Sequence, residues 1–336
     1  MRLTRWTTGF LWLLGLGLLG VLLVRHGRQD LSDGLRALGW WLWPWLLLEA
    51  VPSFLHAVGW AACFAGLRPP LRLWQLYLVR QAGMAINQLT PTATLGGELA
   101  RALLLRTALP AAQAVAPVVI GKASVTLAQT LYLAVGVGYL AQQLLLPLEL
   151  LLPAGLALAG IALGLAGFLL SQRGRLFSRL LRRLGQRRDG AWGERLTPSL
   201  EAVDAQLLRY YRRHPWRLWR SCAWHLLAFA SEGLKTYVLL RLLLGAAAPA
   251  LPQAFAIAVA VAALDQVFFF VPARLGTLEG VRLAVLSALG IAQAYGLAFG
   301  LVARVEQLVW SALGLLAYGL CTRFPALLRP VRRRGA

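Results

Sequence analysis

Eight stretches of this sequence are apolar over about the length a helix needs to cross a lipid bilayer: roughly residues 7–24, 41–66, 113–140, 146–171, 218–244, 251–272, 281–298 and 300–321. That repetition leaves few folds open. Hydrophobic residues make up 59% of the 336 and charged residues 14%, against about 45–50% and about 25% in soluble domains. Mean hydropathy is +0.64. The runs are rich in Leu, Ala and Gly and lack the two-residue alternation of a membrane β-barrel strand. The fold class is therefore an all-α integral membrane protein, with about 7–8 transmembrane helices.

The net charge is +21, and nearly all of it is arginine, since lysine occurs only at Lys122 and Lys235. About a dozen arginines fall within 171–217, around "SQRGRLFSRLLRRLGQRRDG", which marks that stretch as cytoplasmic by the positive-inside rule. The terminal segments "MRLTR" and "RPVRRRGA" carry the same sign. Both termini are thus expected in the cytoplasm and the protein in the inner (plasma) membrane. One polytopic domain spans 1–336, with a first helical half at 1–170, a basic loop at 171–217 and a second half at 218–336. The first apolar run ends in "VLLVRHGRQ" with no small-x-small cleavage site, so it reads as an uncleaved helix. Nucleic acid is not expected as a partner, because the arginines flank apolar segments and no nucleic-acid motif is present. Cys63, Cys222 and Cys321 stand singly, and the four histidines form no H-x-x-x-H pair. The sequence therefore supports no disulfide framework, metal site or cofactor. The glycine-rich "GLGLLG" at Gly15–Gly20 follows no strand and lacks a Lys-Ser/Thr pair, so it reads as helix packing rather than a phosphate loop.

Two stretches break the apolar pattern in the same way: "TPTATLGGELAR" at 90–101 and "VPARLGTLEG" at 271–280. Each has a proline, then Leu-Gly, then a glutamate: Pro91 with Glu98, and Pro272 with Glu279. Proline ends a helix because it lacks an N–H and crowds the preceding turn. Glycine lets backbone or ligand come close. Around the first break, Leu71–Thr107 starts amphipathic, with Arg80 and Asn87 on one face, and continues with Glu98, Arg101 and Arg106. Such irregular backbone is tolerated in a bilayer only inside protein or along a wet cavity. Whether 71–107 and 255–298 are re-entrant hairpins or full spans is open, because both keep the termini on one side. Paired broken helices in two halves point to an internal repeat and to a transporter substrate site.

The helix starting near Gly96 offers free N–H groups and a positive dipole end, which suits an anion such as a lipid phosphate. Arg101, with Arg80 or Arg106, would bind that phosphate while Glu98 orients it or carries a proton. A second reading has Glu98 and Arg101 pairing with each other to cap the break. Glu279 and Arg282 carry the same two readings. Lys122, Glu232 with Lys235, Asp265, Arg304 and Glu306 lie inside apolar spans, so either a functional polar interior or a buried ion network is expected. The candidate substrate-binding residues are Arg80, Asn87, Pro91, Gly96, Gly97, Glu98, Arg101, Lys122, Pro272, Gly276 and Glu279.

"INQLTPTATLGGELARALLL", "VVIGKASVTLAQTLYL" and "FFFVPARLGTLEG" together resemble the flippase-like membrane domain of lysylphosphatidylglycerol synthases. Asn87, Pro91, Gly96, Gly97, Glu98 and Arg101 match the family's first element, and Pro272, Gly276 and Glu279 match its second. Ala273 stands where the family usually has glycine. The sequence ends at Ala336 without a soluble acyltransferase domain. The resemblance thus implies the transmembrane part, which the family associates with moving a modified phospholipid between leaflets. A hopanoid-associated subgroup is compatible with the second motif. The expected function is a non-enzymatic lipid translocase that binds an anionic or modified membrane lipid at its paired broken helices. Lipid-biosynthesis enzymes are candidate partners. Two alternatives stand: a membrane-embedded transferase acting on a lipid-linked substrate, and a non-catalytic partner anchoring a lipid-synthesis complex through the basic loop.

Overall fold

The computed structural model describes residues 38–64, 70–90, 95–142, 147–172, 191–268 and 271–330, and of residues 168–172, 191–200 and 272 only the backbone. The expected span 7–24 and Pro91 lie outside these residues. Among the described residues every regular element is helical. A 3-10 turn, Gly39–Trp41, leads into α1 (Leu42–Leu48) and α2 (Ala50–Ala61). These two run almost as one helix. Pro52 lacks the N–H that would bond Leu48, which accounts for the interruption at Glu49. Then follow α3 (Leu73–Leu89), α4 (Leu95–Arg106), α5 (Ala111–Gln142) and α6 (Leu148–Gln172). The second half holds α8 (Pro215–Leu244), α9 (Leu251–Val267), α10 (Thr277–Ala288) and α11 (Gln293–Arg323). Between the halves, the basic stretch contains α7 (Ala191–Arg213), which buries Val203, Leu207 and Tyr210.

Three of these helices are long and apolar enough to cross a membrane: α5, the Leu148–Gly167 part of α6, and α11. On α6, Leu148, Leu152, Leu156 and Leu163 form one exposed stripe at helical spacing, as expected of a face turned to lipid. The exposed Trp40, Trp41 and Trp43 suit an interfacial belt.

One boundary differs from the sequence reading. Residues 281–298 and 300–321 are not two spans divided near residue 299. The chain turns at Leu289–Ala292, and α11 runs unbroken past Gly300. Gly290, at φ 75°, closes α10 with paired bonds: its N–H donates to Ser287 O at 3.0 Å, and Ile291 N–H donates to Leu286 O at 3.0 Å. Gly296 and Gly300 instead serve packing. A Cβ on either would meet the backbone of α10, at Leu283 Cα and Glu279 Cα.

Helix lengths repeat between the halves. α3, α4 and α5 have 17, 12 and 32 residues, and α9, α10 and α11 have 17, 12 and 31. The packing crosses over, since the first helix of each triplet lies on the third helix of the other: α3 along α11, and α9 on α5. Two apolar clusters hold the assembly. One, around Leu239, Leu240, Ile257 and Val302, gathers α5, α6 and α8–α11. The other, around Trp60, Leu76, Leu105, Ile120 and Tyr210, gathers α2–α5 and α7. Between them lies a polar interior.

Candidate functional site

A cavity of about 500 Å³ opens among α1–α5 and α8–α11. Its size is typical of small-ligand sites, but its walls carry an unusual density of charge for a membrane interior. The charges fall into three groups.

The first group lies at the first break. Arg101 Nη1 donates to both Glu98 oxygens, at 3.2 and 3.1 Å, and Nη2 reaches Arg80 O at 3.5 Å. The guanidinium lies 5.8 Å from the Trp60 ring centroid, and its Nε–H has no acceptor among the described residues. Arg80, on α3, is 8% exposed. Among the described residues its guanidinium makes one long hydrogen bond, to Gln81 Oε1 at 3.4 Å, and no ion pair. Lys122, on α5, lines the same wall within electrostatic range of Glu98 and Arg101.

The second group centres on Lys235 of α8. Its Nζ bonds Glu306 of α11 at 2.8 Å and Glu232 at 2.9 Å, and it also meets Glu49 at the α1–α2 junction. Trp45 places its ring 5.5 Å from the ammonium, and Ser53 Oγ donates to Glu49 at 3.1 Å. Three carboxylates thus share one cation. Beside them, His56 and His225 meet Nδ1 to Nδ1 at 2.8 Å, with His225 pressed into the notch at Gly59.

The third group lies at the second break. Asp265 of α9 takes Arg274 at 3.2 Å and Arg282 at 3.4 Å. Arg282 Nη1 also donates to Leu278 O at 2.8 Å, and its Nε–H has no acceptor among the described residues.

These groups sort the sequence-derived candidates. Arg80, Asn87, Glu98, Arg101 and Lys122 line one cavity. Asn87 Oδ1 accepts the Gly97 N–H at 2.6 Å, so the side chain caps the first turn of α4 across the break. Gly97 lets α4 sit against Gly83 and Asn87, because a Cβ there would overlap both. Gly96 lies beside it in the first turn of α4. Gly276, at φ 71°, is the residue before α10 and frees the chain to turn there. Pro272 opens the 3-10 turn 272–274.

Glu279 does not line the cavity. It is fully buried, and Arg304 of α11 grips it through Nε at 2.7 Å and Nη2 at 3.0 Å. Arg304 also donates to Ala273 O at 2.6 Å and Arg274 O at 2.7 Å, so the pair pins the turn to α11. Glu279 and Arg282 do not pair with each other at i+3: Glu279 takes Arg304, and Arg282 takes Asp265. Ala273, at φ 51°, occupies the left-handed region that glycine suits.

Four charged or imidazole wall residues went unread in the sequence: Glu49, His56, His225 and Arg274, the last lying inside the second motif itself. Glu49 had a signal, as a single acid inside the apolar run 41–66. The histidines had none, lying 169 residues apart.

No curated protein and no solved structure matches the chain. A family model described as the lysylphosphatidylglycerol synthase TM region matches residues 10–314. With its polar cavity enclosed by helices and its two broken-helix elements, this membrane protein belongs to the family of the lysylphosphatidylglycerol synthase transmembrane region.

Proposed function

We propose that the chain binds the head group of an anionic membrane lipid in the central cavity and passes that lipid between leaflets, without chemical change. One observation carries this reading. Arg80 is buried in the cavity wall with no carboxylate partner among the described residues. Glu49 and Glu98 act on it only from beyond ion-pair distance, and a buried charge without a close partner is costly, by several kcal/mol or more, so a guanidinium held this way favours an anion. Arg101, paired with Glu98, and Lys122 line the same part of the wall.

Among the described residues of the wall, six cationic side chains (Arg80, Arg101, Lys122, Lys235, Arg274, Arg282) outnumber five acids (Glu49, Glu98, Glu232, Asp265, Glu306), a balance that favours an anionic head group. The acyl chains have a route as well. An apolar groove of about 450 Å³ runs over Ala50, Val51, Phe54, Leu55, Leu73, Trp74 and Tyr77, on the same α2–α3 pair that lines the cavity. Tyr77 in the groove accepts a bond from Gln81 at 3.1 Å, and Gln81 in turn accepts one from Arg80. In this reading the protein sits in the plasma membrane with both termini cytoplasmic, as the arginine distribution favours.

The test is mass spectrometry of lipids that co-purify with the wild-type protein and with Arg80→Gln. Enrichment of an anionic lipid that the variant loses supports the reading. Equal bulk lipid in both samples would remove it.

A further inference from the structure

We propose that Arg274 and Arg282 form a second anion station for the same head group, held shut in this state by Asp265. The inference rests on the reading of the cavity given above and adds to it a second place for the phosphate to stop.

The internal repeat leads there. Counted from the first residue of each helix, the twelfth position is Lys122 in α5 and Arg304 in α11. An arginine follows the glutamate by three residues in both short helices: Arg101 after Glu98, and Arg282 after Glu279. These two arginines have nearly the same surroundings. Their side chains are 13% and 12% exposed. Each lies 5.8 Å from an aromatic ring centroid, Trp60 for one and Phe299 for the other. Each keeps a buried Nε–H without an acceptor among the described residues, and both line the same cavity.

The repeats differ at one chemically decisive place. The fifteenth position is Asn87 in α3 and Asp265 in α9. The neutral Asn87 spends its oxygen on the Gly97 N–H and leaves the first arginine uncontested from that helix. Asp265 instead faces Arg274 and Arg282, at 3.2 to 3.4 Å. Those contacts are longer than the 2.7 and 3.0 Å of the fixed Glu279–Arg304 pair. A phosphodiester presents two oxygens and the same single charge as Asp265, so it can replace the carboxylate on the guanidinium fork. Arg80 has no counterpart, since the eighth residue of α9 is Ala258. The first station is therefore the stronger one in this state, and the second is its weaker destination across the cavity.

Asp265→Asn gives the second repeat the side chain of the first, with little change of shape. Native mass spectrometry of the full chain titrated with phosphatidylglycerol counts the lipids retained. The expected result is one lipid on wild type and two on Asp265→Asn, with the second lost again in Asp265→Asn/Arg282→Gln. Asp265→Glu, which keeps the charge, should behave as wild type and guards against a folding artefact. A second lipid that persists without Arg282, or equal counts on wild type and Asp265→Asn, would overturn the second station. Failure of the cavity reading looks different: Arg80→Gln would keep the first lipid. In Asp265→Asn/Arg80→Gln the lipid that depends on Arg282 should remain, alone if the first station rests on Arg80 and beside the first lipid if it does not.

Discussion

Replacing Arg304 by methionine should cost the protein about as much as any single change in its interior. Arg304 is the partner of a carboxylate that is 0% exposed, Glu279, and it also satisfies Ala273 O and Arg274 O. Without it a bare carboxylate stays buried, Arg274 O loses its donor, and Ala273 O keeps only the longer bond from Gln307 Nε2, at 3.3 Å. Breaking a buried pair from one side costs about 3–5 kcal/mol. At about 1.4 kcal/mol per tenfold, that lowers the folded-to-unfolded ratio by roughly two to four orders of magnitude. Removing both charges together behaves differently, because two apolar side chains leave no orphan charge. Glu279→Leu/Arg304→Met should recover more than half of the loss, the rest reflecting the two turn carbonyls. The assay is unfolding in mixed micelles with a rising fraction of SDS, followed by tryptophan fluorescence for the four members of the double-mutant cycle. A loss under about 1 kcal/mol for Arg304→Met would refute the reasoning, since that is the scale of an exposed pair. So would a double variant no more stable than the single. The double variant should also keep its co-purified lipid, because neither residue lines the cavity.

Three further outcomes follow from the same geometry. Ala273→Gly should stabilise the protein by about 1 kcal/mol in the same unfolding assay, because Ala273 holds a left-handed φ of 51°. Asn87→Ala removes the 2.6 Å acceptor of the Gly97 N–H and should cost about 1–2 kcal/mol, with hydrogen exchange rising first in the opening turn of α4. Lys235→Met leaves Glu49, Glu232 and Glu306 facing one another. It should destabilise by about 3–5 kcal/mol, and Lys235→Arg should restore most of that in thermal melts.

The helical membrane class and the two breaks were legible because bilayer length and proline-glycine chemistry act locally. The ends of α5 and α6 lie within a few residues of the apolar runs 113–140 and 146–171 for the same reason. The 281–321 region was not legible in this way, because Gly290 and Gly300 look alike in sequence. One adopts φ 75° and ends a helix, while the other stays helical and makes room for Glu279. Pair assignments failed for a related reason. Spacing of three suggested Glu279 with Arg282, but Arg304 reaches Glu279 from another helix, 25 residues on, and Asp265 takes Arg282 from 17 residues back. Charge inside the spans announced a polar interior. Only the fold shows that Arg80 stands in it without a carboxylate at ion-pair distance among the described residues, and that the lone asparagine, Asn87, is spent on a helix cap.

Leaflet exchange measures the central claim most directly. Fluorescent phosphatidylglycerol in proteoliposomes, bleached from outside by dithionite, reports how fast inner-leaflet lipid reaches the surface. Wild type should expose the inner pool well above the protein-free rate. Arg80→Gln/Arg101→Gln should lose that gain by about tenfold or more, since each guanidinium contributes charged hydrogen bonds of about 1.5–3 kcal/mol to the head group. Exchange at the wild-type rate in the double variant, with the protein folded, would contradict the account: the cavity would then be architecture and not the path of the lipid.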